Sequence, residues 1–341
     1  MTKKAITVTG EISADKLGYV LPHEHIFCDL RPLVDRQDTP EFDQPVTLLN
    51  HGLLTRNPYA VLDNAVIDEF DIQTAEVAEF AKAGGGTIAD ATTECFGRDP
   101  MKLRRISELA GVNIVMGCGY YLGAVHPGYV ASLDAAELTK RMVREIEVGI
   151  DGVRAGMIGE IGTSKVISDE EYKVLKAASH AQAETGLGMH IHACLFNHSG
   201  YDAAKFAIEN GADPAKICVN HADAVLDREY IDKLLSLGVY VEFDNFGKEF
   251  YVDRRFKSLL EKGFVYDRER VVLLRELIGR GYAKQLMITN DICLKTLTHH
   301  YGGWGYDHIL TNIVPMMEDH GISHDDIECI VRNNPMEFLQ I

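Results

Sequence analysis

The chain has 341 residues, 46% of them hydrophobic and 25% charged, with a formal net charge of −17. That length buries a large core, in one big α/β domain or two smaller ones. So acidic a chain repels phosphate backbones and anionic lipid, which argues against nucleic acid and membrane surfaces as partners and leaves a small molecule.

In chain order, "MTKKAITVTG" has two lysines but no apolar stretch of the kind a secretory leader carries. "AITVTGEI" alternates and predicts a small hairpin under the main sheet. Buried strands follow at Val20–His23, Thr87–Thr92, Asn113–Gly119, Ala155–Glu160, Gly188–His192, Ile217–His221, Val239–Phe243 and Gln285–Thr289. Amphipathic stretches alternate with them at Glu69–Ala83, Pro100–Ala110, Ala135–Val148, Asp169–Glu184, Tyr201–Asn210, Asp227–Leu237 and Asp267–Arg280. Ser168 with Glu171 makes a capping box, and Gly186 and Gly238 sit where left-handed C-caps belong. Eight such units predict an α/β fold, a closed (β/α)8 TIM barrel in one domain over 1–341, with long insertions at 30–66, after the first strand, and 244–266, after the seventh. An open doubly wound sheet is the rival. "KAGGGTIAD" is Gly-rich but precedes a strand instead of joining strand to helix, which weakens a dinucleotide reading. The seven cysteines are scattered with no CxxC pair, and no window approaches the roughly 20 apolar residues of a membrane span, so a cytoplasmic protein is expected.

The chemistry-bearing residues gather at strand ends. In "LPHEH", His23 and His25 share one face and Glu24 points away. An HxH pair alone is common. Here Glu160 ends strand four, His192 strand five and His221 strand six, and Asp291 follows strand eight. A metal-type side chain after each apolar run puts them all at the carboxyl-end mouth of a barrel. His23, His25 and Asp291 can hold one divalent ion, and His192 and His221 another, with Glu160 bridging. Zinc is the default for such an N/O site, and manganese or cobalt also fits. A hydroxide bridging the pair would be the nucleophile.

These residues resemble the phosphotriesterase family of the amidohydrolase superfamily. The likeness rests on "LPHEH", "GGGTIADATT", "GMIGEIGTS", "AQAETGLGMHIHA", "VNHAD", "NDI" and "YGGWGYDHILTNIVP". It implies that His23, His25, Glu160, His192, His221 and Asp291 are the six ligands, and that Asp291 takes the proton as the hydroxide attacks. Where the best-known members carry a carboxylated lysine, this chain has Glu160, as in the glutamate-bridged branch of homology proteins, related animal proteins and sugar-phosphate lactonases. A hydrolase is expected, opening a small polar or anionic lactone such as that of a phosphorylated sugar. The alternatives are cleavage of an N-acyl amine or amino acid, phosphotriester hydrolysis, and a metal-binding barrel without catalysis. The resemblance also implies a homodimer, though nothing in the sequence marks an interface.

Other residues divide between packing and function. His190 is expected to be a satisfied core histidine one layer below His192. Tyr120 and Tyr121 end strand three, where a rim tyrosine can polarise a substrate carbonyl. Lys248, Arg254 and Arg255, in the loop after strand seven, are candidates for an anionic substituent, against solvated surface charge. Arg275 lies in a helical pattern, with a phosphate role as the functional alternative. His299 and His300 read as loop residues near the mouth, not ligands.

Overall fold

The alternating N-terminal stretch forms the expected hairpin, β1 (Lys4–Thr7) pairing antiparallel with β2 (Gly10–Ser13). The computed structural model describes residues 3–195, 197–251 and 264–341. After β3 (Tyr19–Glu24), the first insertion carries the short antiparallel pair β4 (Cys28–Asp29) and β5 (Val66–Ile67) and helix α1 (Leu48–Leu54). The chain continues through β6 (Gly85–Asp90), β7 (Asn113–Cys118), β8 (Met157–Gly162), β9 (Met189–His192), β10 (Ile217–Val219), β11 (Tyr240–Phe243) and β12 (Leu286–Ile288). With β3 these seven make one eight-stranded sheet in chain order, every pairing parallel. The sheet curls so that its ends meet: just past β12, the Thr289 hydroxyl donates to the His23 carbonyl at 3.1 Å. This is a TIM barrel, and the open doubly wound alternative is set aside.

Between the strands lie α2 (Phe70–Lys82), α3 (Pro100–Ala110), α4 (Ala135–Glu147), α5 (Asp169–Thr185), α6 (Ser199–Glu209), α7 (Arg228–Ser236) and α8 (Asp267–Gly279), each within two residues of the periodicity reading. The capping box at α5 is present: Glu171 N donates to Ser168 Oγ at 3.2 Å and Ser168 N to Glu171 Oε2 at 2.9 Å, an arrangement worth about 1 kcal/mol. The "GGG" run has a packing role. A β-carbon on Gly86 would lie 2.3 Å from the Leu17 carbonyl oxygen, so only glycine lets β6 sit against the chain entering β3. Three short helices, α9 (Val314–Asp319), α10 (His324–Glu328) and α11 (Asn334–Leu339), follow the barrel. They are absent from the sequence reading because π-helical stretches, Ile309–Ile313 before α9 and Cys329–Asn333 between α10 and α11, run into them and break the 3.6-residue period. The last residue closes the floor, Ile341 N donating to Lys4 O at 2.7 Å. Among the described residues no helix is long and apolar enough to cross a membrane.

Candidate metal centre

Strand ends that point their side chains into one mouth bring all six predicted donors together. His25 Nε2 lies 3.4 Å from Glu160 Oε1 and 3.1 Å from Asp291 Oδ1. His23 Nε2 lies 3.5 Å from Glu160 Oε2 and 3.7 Å from Asp291 Oδ1. On the other side, Glu160 Oε2 meets His192 Nδ1 at 2.9 Å and His221 Nε2 at 3.7 Å. Two donor sets therefore share Glu160, namely His23 with His25 and His192 with His221, each with its ligand atoms inside 4.8 Å.

The chemistry of the donors fits a pair of divalent cations. His23 Nε2 is buried and has no hydrogen-bond partner, which is costly for a polar atom unless something else binds it. The outer nitrogens are already engaged. His23 Nδ1 meets Glu242 Oε2 at 3.0 Å, His25 Nδ1 meets Thr92 Oγ1 at 2.9 Å, and His221 Nδ1 meets Asp244 Oδ1 at 3.0 Å. Since a carboxylate accepts, His23 and His221 carry their proton on Nδ1 in the neutral form, and the Nε2 lone pair faces inward, as metal-ligating imidazoles are held.

Further carboxylates hold the backbone of these loops. Glu24, pointing away from its histidine neighbours, accepts from the backbone N–H of Asn290 at 2.9 Å and of Ile292 at 2.7 Å. Those two residues flank Asp291. Asp90 accepts from Ile26 N at 2.8 Å and Thr92 N at 3.1 Å, either side of the His25–Thr92 pair. Asp244 accepts from His221 N at 2.8 Å, and Asp223 accepts from Asn245 N at 3.0 Å. His221 and Asp291 both sit at positive φ, 60° and 51°. A non-glycine residue there costs about 1–3 kcal/mol, which the clamping carboxylates offset. Sequence reasoning missed Glu242 and Asp244, although a carboxylate pair at i and i+2 on a strand end is the same signal as HxH.

Burial opposes charge on His25, but the Asp291 and Glu160 carboxylates outweigh it and raise its pKa to about 9. Burial likewise opposes charge on His221, and Asp244 outweighs it, raising the group to about 10. Both imidazoles are therefore protonated at neutral pH without metal. A cation must expel those protons, so metal affinity is expected to rise with pH and to level off above about 10. Calorimetric titration at pH 7 in buffers of different ionisation enthalpy should show proton release on loading. Loading with no proton released would contradict this.

The remaining candidates divide. Lys248 is not surface charge: it is 4% exposed, and its Nζ donates to Asp291 Oδ2. Burial opposes its charge, yet the Asp291 carboxylate outweighs burial and keeps it an ammonium. Burial pushes against an ionised Asp291, but Lys248, His25 and His23 hold it down to about 2. Tyr120 does not reach the site. Its hydroxyl accepts from Tyr129 at 3.4 Å, and Tyr121 takes the expected place, 3.3 Å from His192 Nδ1. The strand ends at Cys118 and Gly119 turns at φ 109°, so strand alternation no longer decides which tyrosine faces inward. Arg275 falls on the exposed stripe of α8 with Arg268, Val272 and Glu276, far from any phosphate role here. Arg254 and Arg255 lie outside the described residues. His190 is buried but only half satisfied: Nδ1 meets Asn220 at 2.9 Å, and Nε2 has no partner. His299 Nε2 pairs with Asp307 at 2.5 Å, and the backbone of both His299 and His300 is held by Glu76, so neither joins the donors.

Above the donors opens a cavity of about 210 Å³, lined by Tyr59, Tyr121, Lys248, Phe250 and Leu294 as well as by the cluster itself. That is at the small end for ligand pockets. The sequence profile of the Phosphotriesterase family matches residues 3–339. An N-acetyltaurine hydrolase of Xenopus tropicalis is 34% identical over 347 residues, covering 99% of this chain and 98% of that protein. A resiniferatoxin-binding protein from Rhodobacter sphaeroides superposes with a TM-score of 0.94 at 31% identity, covering 98% of this chain and 94% of that one. A variant of a PTE-like lactonase from Deinococcus radiodurans superposes with a TM-score of 0.77 at 28% identity, covering 98% of this chain and 99% of that one. With the same barrel, a donor set that can bind metal at its mouth and the family pattern running almost end to end, this chain belongs to the phosphotriesterase family and is a hydrolase.

Proposed function

We propose that the protein cleaves the amide bond of a small N-acyl amine that carries an anionic group, N-acetyltaurine or a close analogue. The observation that carries this reading is the buried ammonium of Lys248 beside the donor cluster. Among the described residues it is the single lysine or arginine lining that small cavity. An acidic substituent on the amine half would find its counter-charge there, in a low-dielectric setting. The sequence likeness to N-acetyltaurine hydrolases supports the same choice over the lactone expected from sequence.

Glu160, the four histidines and Asp291 would hold two divalent cations, zinc by default. Bound, the cations would lower the pKa of a water to about 7 and polarise the substrate carbonyl. The residues of the chain do the rest. Asp291, kept ionised by Lys248, takes the proton of the attacking water on a carboxylate oxygen. It then delivers that proton to the amide nitrogen, which an amine needs in order to leave. Tyr121 and the apolar walls shape the cavity around the carbonyl.

A second reading, lactone opening, is favoured by the superposition on the PTE-like lactonase. A panel of N-acetyltaurine, N-acetyl amino acids, lactones and paraoxon, followed with a pH indicator, separates the classes. The expected result is a kcat/KM for N-acetyltaurine at least tenfold above any lactone. Lactones or paraoxon turned over faster would overturn the amide reading. Metal-loaded protein inert toward every class would leave only a binding barrel. Lys248→Met should raise KM for N-acetyltaurine by about 10–100-fold, the loss of a hydrogen bond to a charged group. A neutral N-acetyl alkylamine should lose far less, and equal losses for both would show that Lys248 acts only through Asp291.

A further inference from the structure

The cavity over the donors is one of two lobes. The second, about 250 Å³, shares Tyr121 and His192 with the first and runs outward between Leu33, Val34 and Leu122. Exposed Asp35 and half-buried Gln37 supply the rest of its polar lining. Lys248 lines the first lobe and not the second. A carbonyl held at the donors therefore has a cationic group in one lobe and, in the other, a stretch of apolar wall leading to Asp35 and Gln37. The two halves of an N-acyl amine differ in the same sense.

We propose that this second lobe receives the acyl chain of the substrate, so that the preferred acyl group is longer than acetyl. This rests on the amide reading for the bond that is cut, but not for the binding itself. An acetyl group would leave Leu33, Val34 and Leu122 facing water. Each added methylene that reaches them leaves water for an apolar wall and should tighten binding roughly fourfold. The gain stops where the chain reaches Asp35 and Gln37, which offer no apolar contact.

The test uses the acid half of the product, which needs no turnover. Calorimetry of the zinc-loaded protein with acetate, butyrate, hexanoate and octanoate should show affinity climbing about fourfold per methylene to a plateau. Val34→Trp fills the lobe and should cut the octanoate-to-acetate affinity ratio at least tenfold. Leu33→Trp, filling it from the neighbouring position, should do the same. Affinity that is flat along the series, octanoate that does not bind at millimolar concentration, or a ratio that survives both tryptophans would overturn the proposal. Chain-length-dependent binding without hydrolysis of any N-acyl amine would overturn the amide reading and leave the lobe standing.

Discussion

Asp291→Asn is expected to lower kcat by about 10²–10⁴-fold, the range that a positioned proton-transfer group supplies. Asparagine keeps the shape and the backbone grip of Glu24 on Asn290 and Ile292, so the loop should hold its course. What it loses is the charge. The neutral amide neither accepts the proton of the attacking water nor balances Lys248, whose ammonium is then left buried beside His25 and His23. KM should change much less than kcat if the group acts in the proton transfer. Metal content measured by plasma emission separates a proton-transfer defect from loss of a ligand. A variant with full metal content and kcat within tenfold of the parent would remove Asp291 from the proposed role.

Arg270→Met should cost about 3–5 kcal/mol of stability, the usual price of breaking a buried ion pair on one side. Arg270 is 0% exposed, its Nε donates to Asp223 at 2.6 Å and its Nη1 to Asp267 at 3.0 Å. Methionine fills most of the space but leaves two buried carboxylates without their counter-charge, Asp223 held only by Asp244 N and Asn245 and Asp267 only by Gly247 N and His308. Both carboxylates anchor the loop after β11: Asp223 accepts from Asn245 N, and Asp267 from Gly247 N at 3.1 Å. Lys248 follows directly, so the variant should also weaken anionic substrates. Urea unfolding measures the first effect, and the double variant with Asp223→Asn should recover part of it. A loss below about 1 kcal/mol would mean that the two carboxylates find other partners.

The barrel and its six donors are legible in the sequence because both follow from local period. A near-continuous apolar run predicts a parallel strand, and a histidine or carboxylate ending it has one place to point. Where the strand stops, that rule stops too, and past Gly119 it no longer tells that Tyr121 and not Tyr120 reaches His192. Lys248 misleads for a different reason. "GKEFYVDRRF" is charged enough to read as surface, and only the pairing of Lys248 with Asp291 at the mouth shows that its lysine is buried. Arg270 and Arg275 share one helix and one residue type. The helical period separates the buried position from the exposed one, but the carboxylates that make a buried arginine tolerable come from elsewhere, and no local pattern announces them.

Glu24 joins the first strand of the barrel to the segment after the last. During synthesis the ribosome releases four histidines and Glu160 long before Asp291, and until residues 290–292 emerge, Glu24 has no amides to receive it. A nascent barrel that stops short of them keeps an unsatisfied carboxylate at its seam. Closure of that seam and completion of the His23–His25–Asp291 set should therefore be a single late event, whereas the Glu160–His192–His221 set is already whole in a chain that stops short of it.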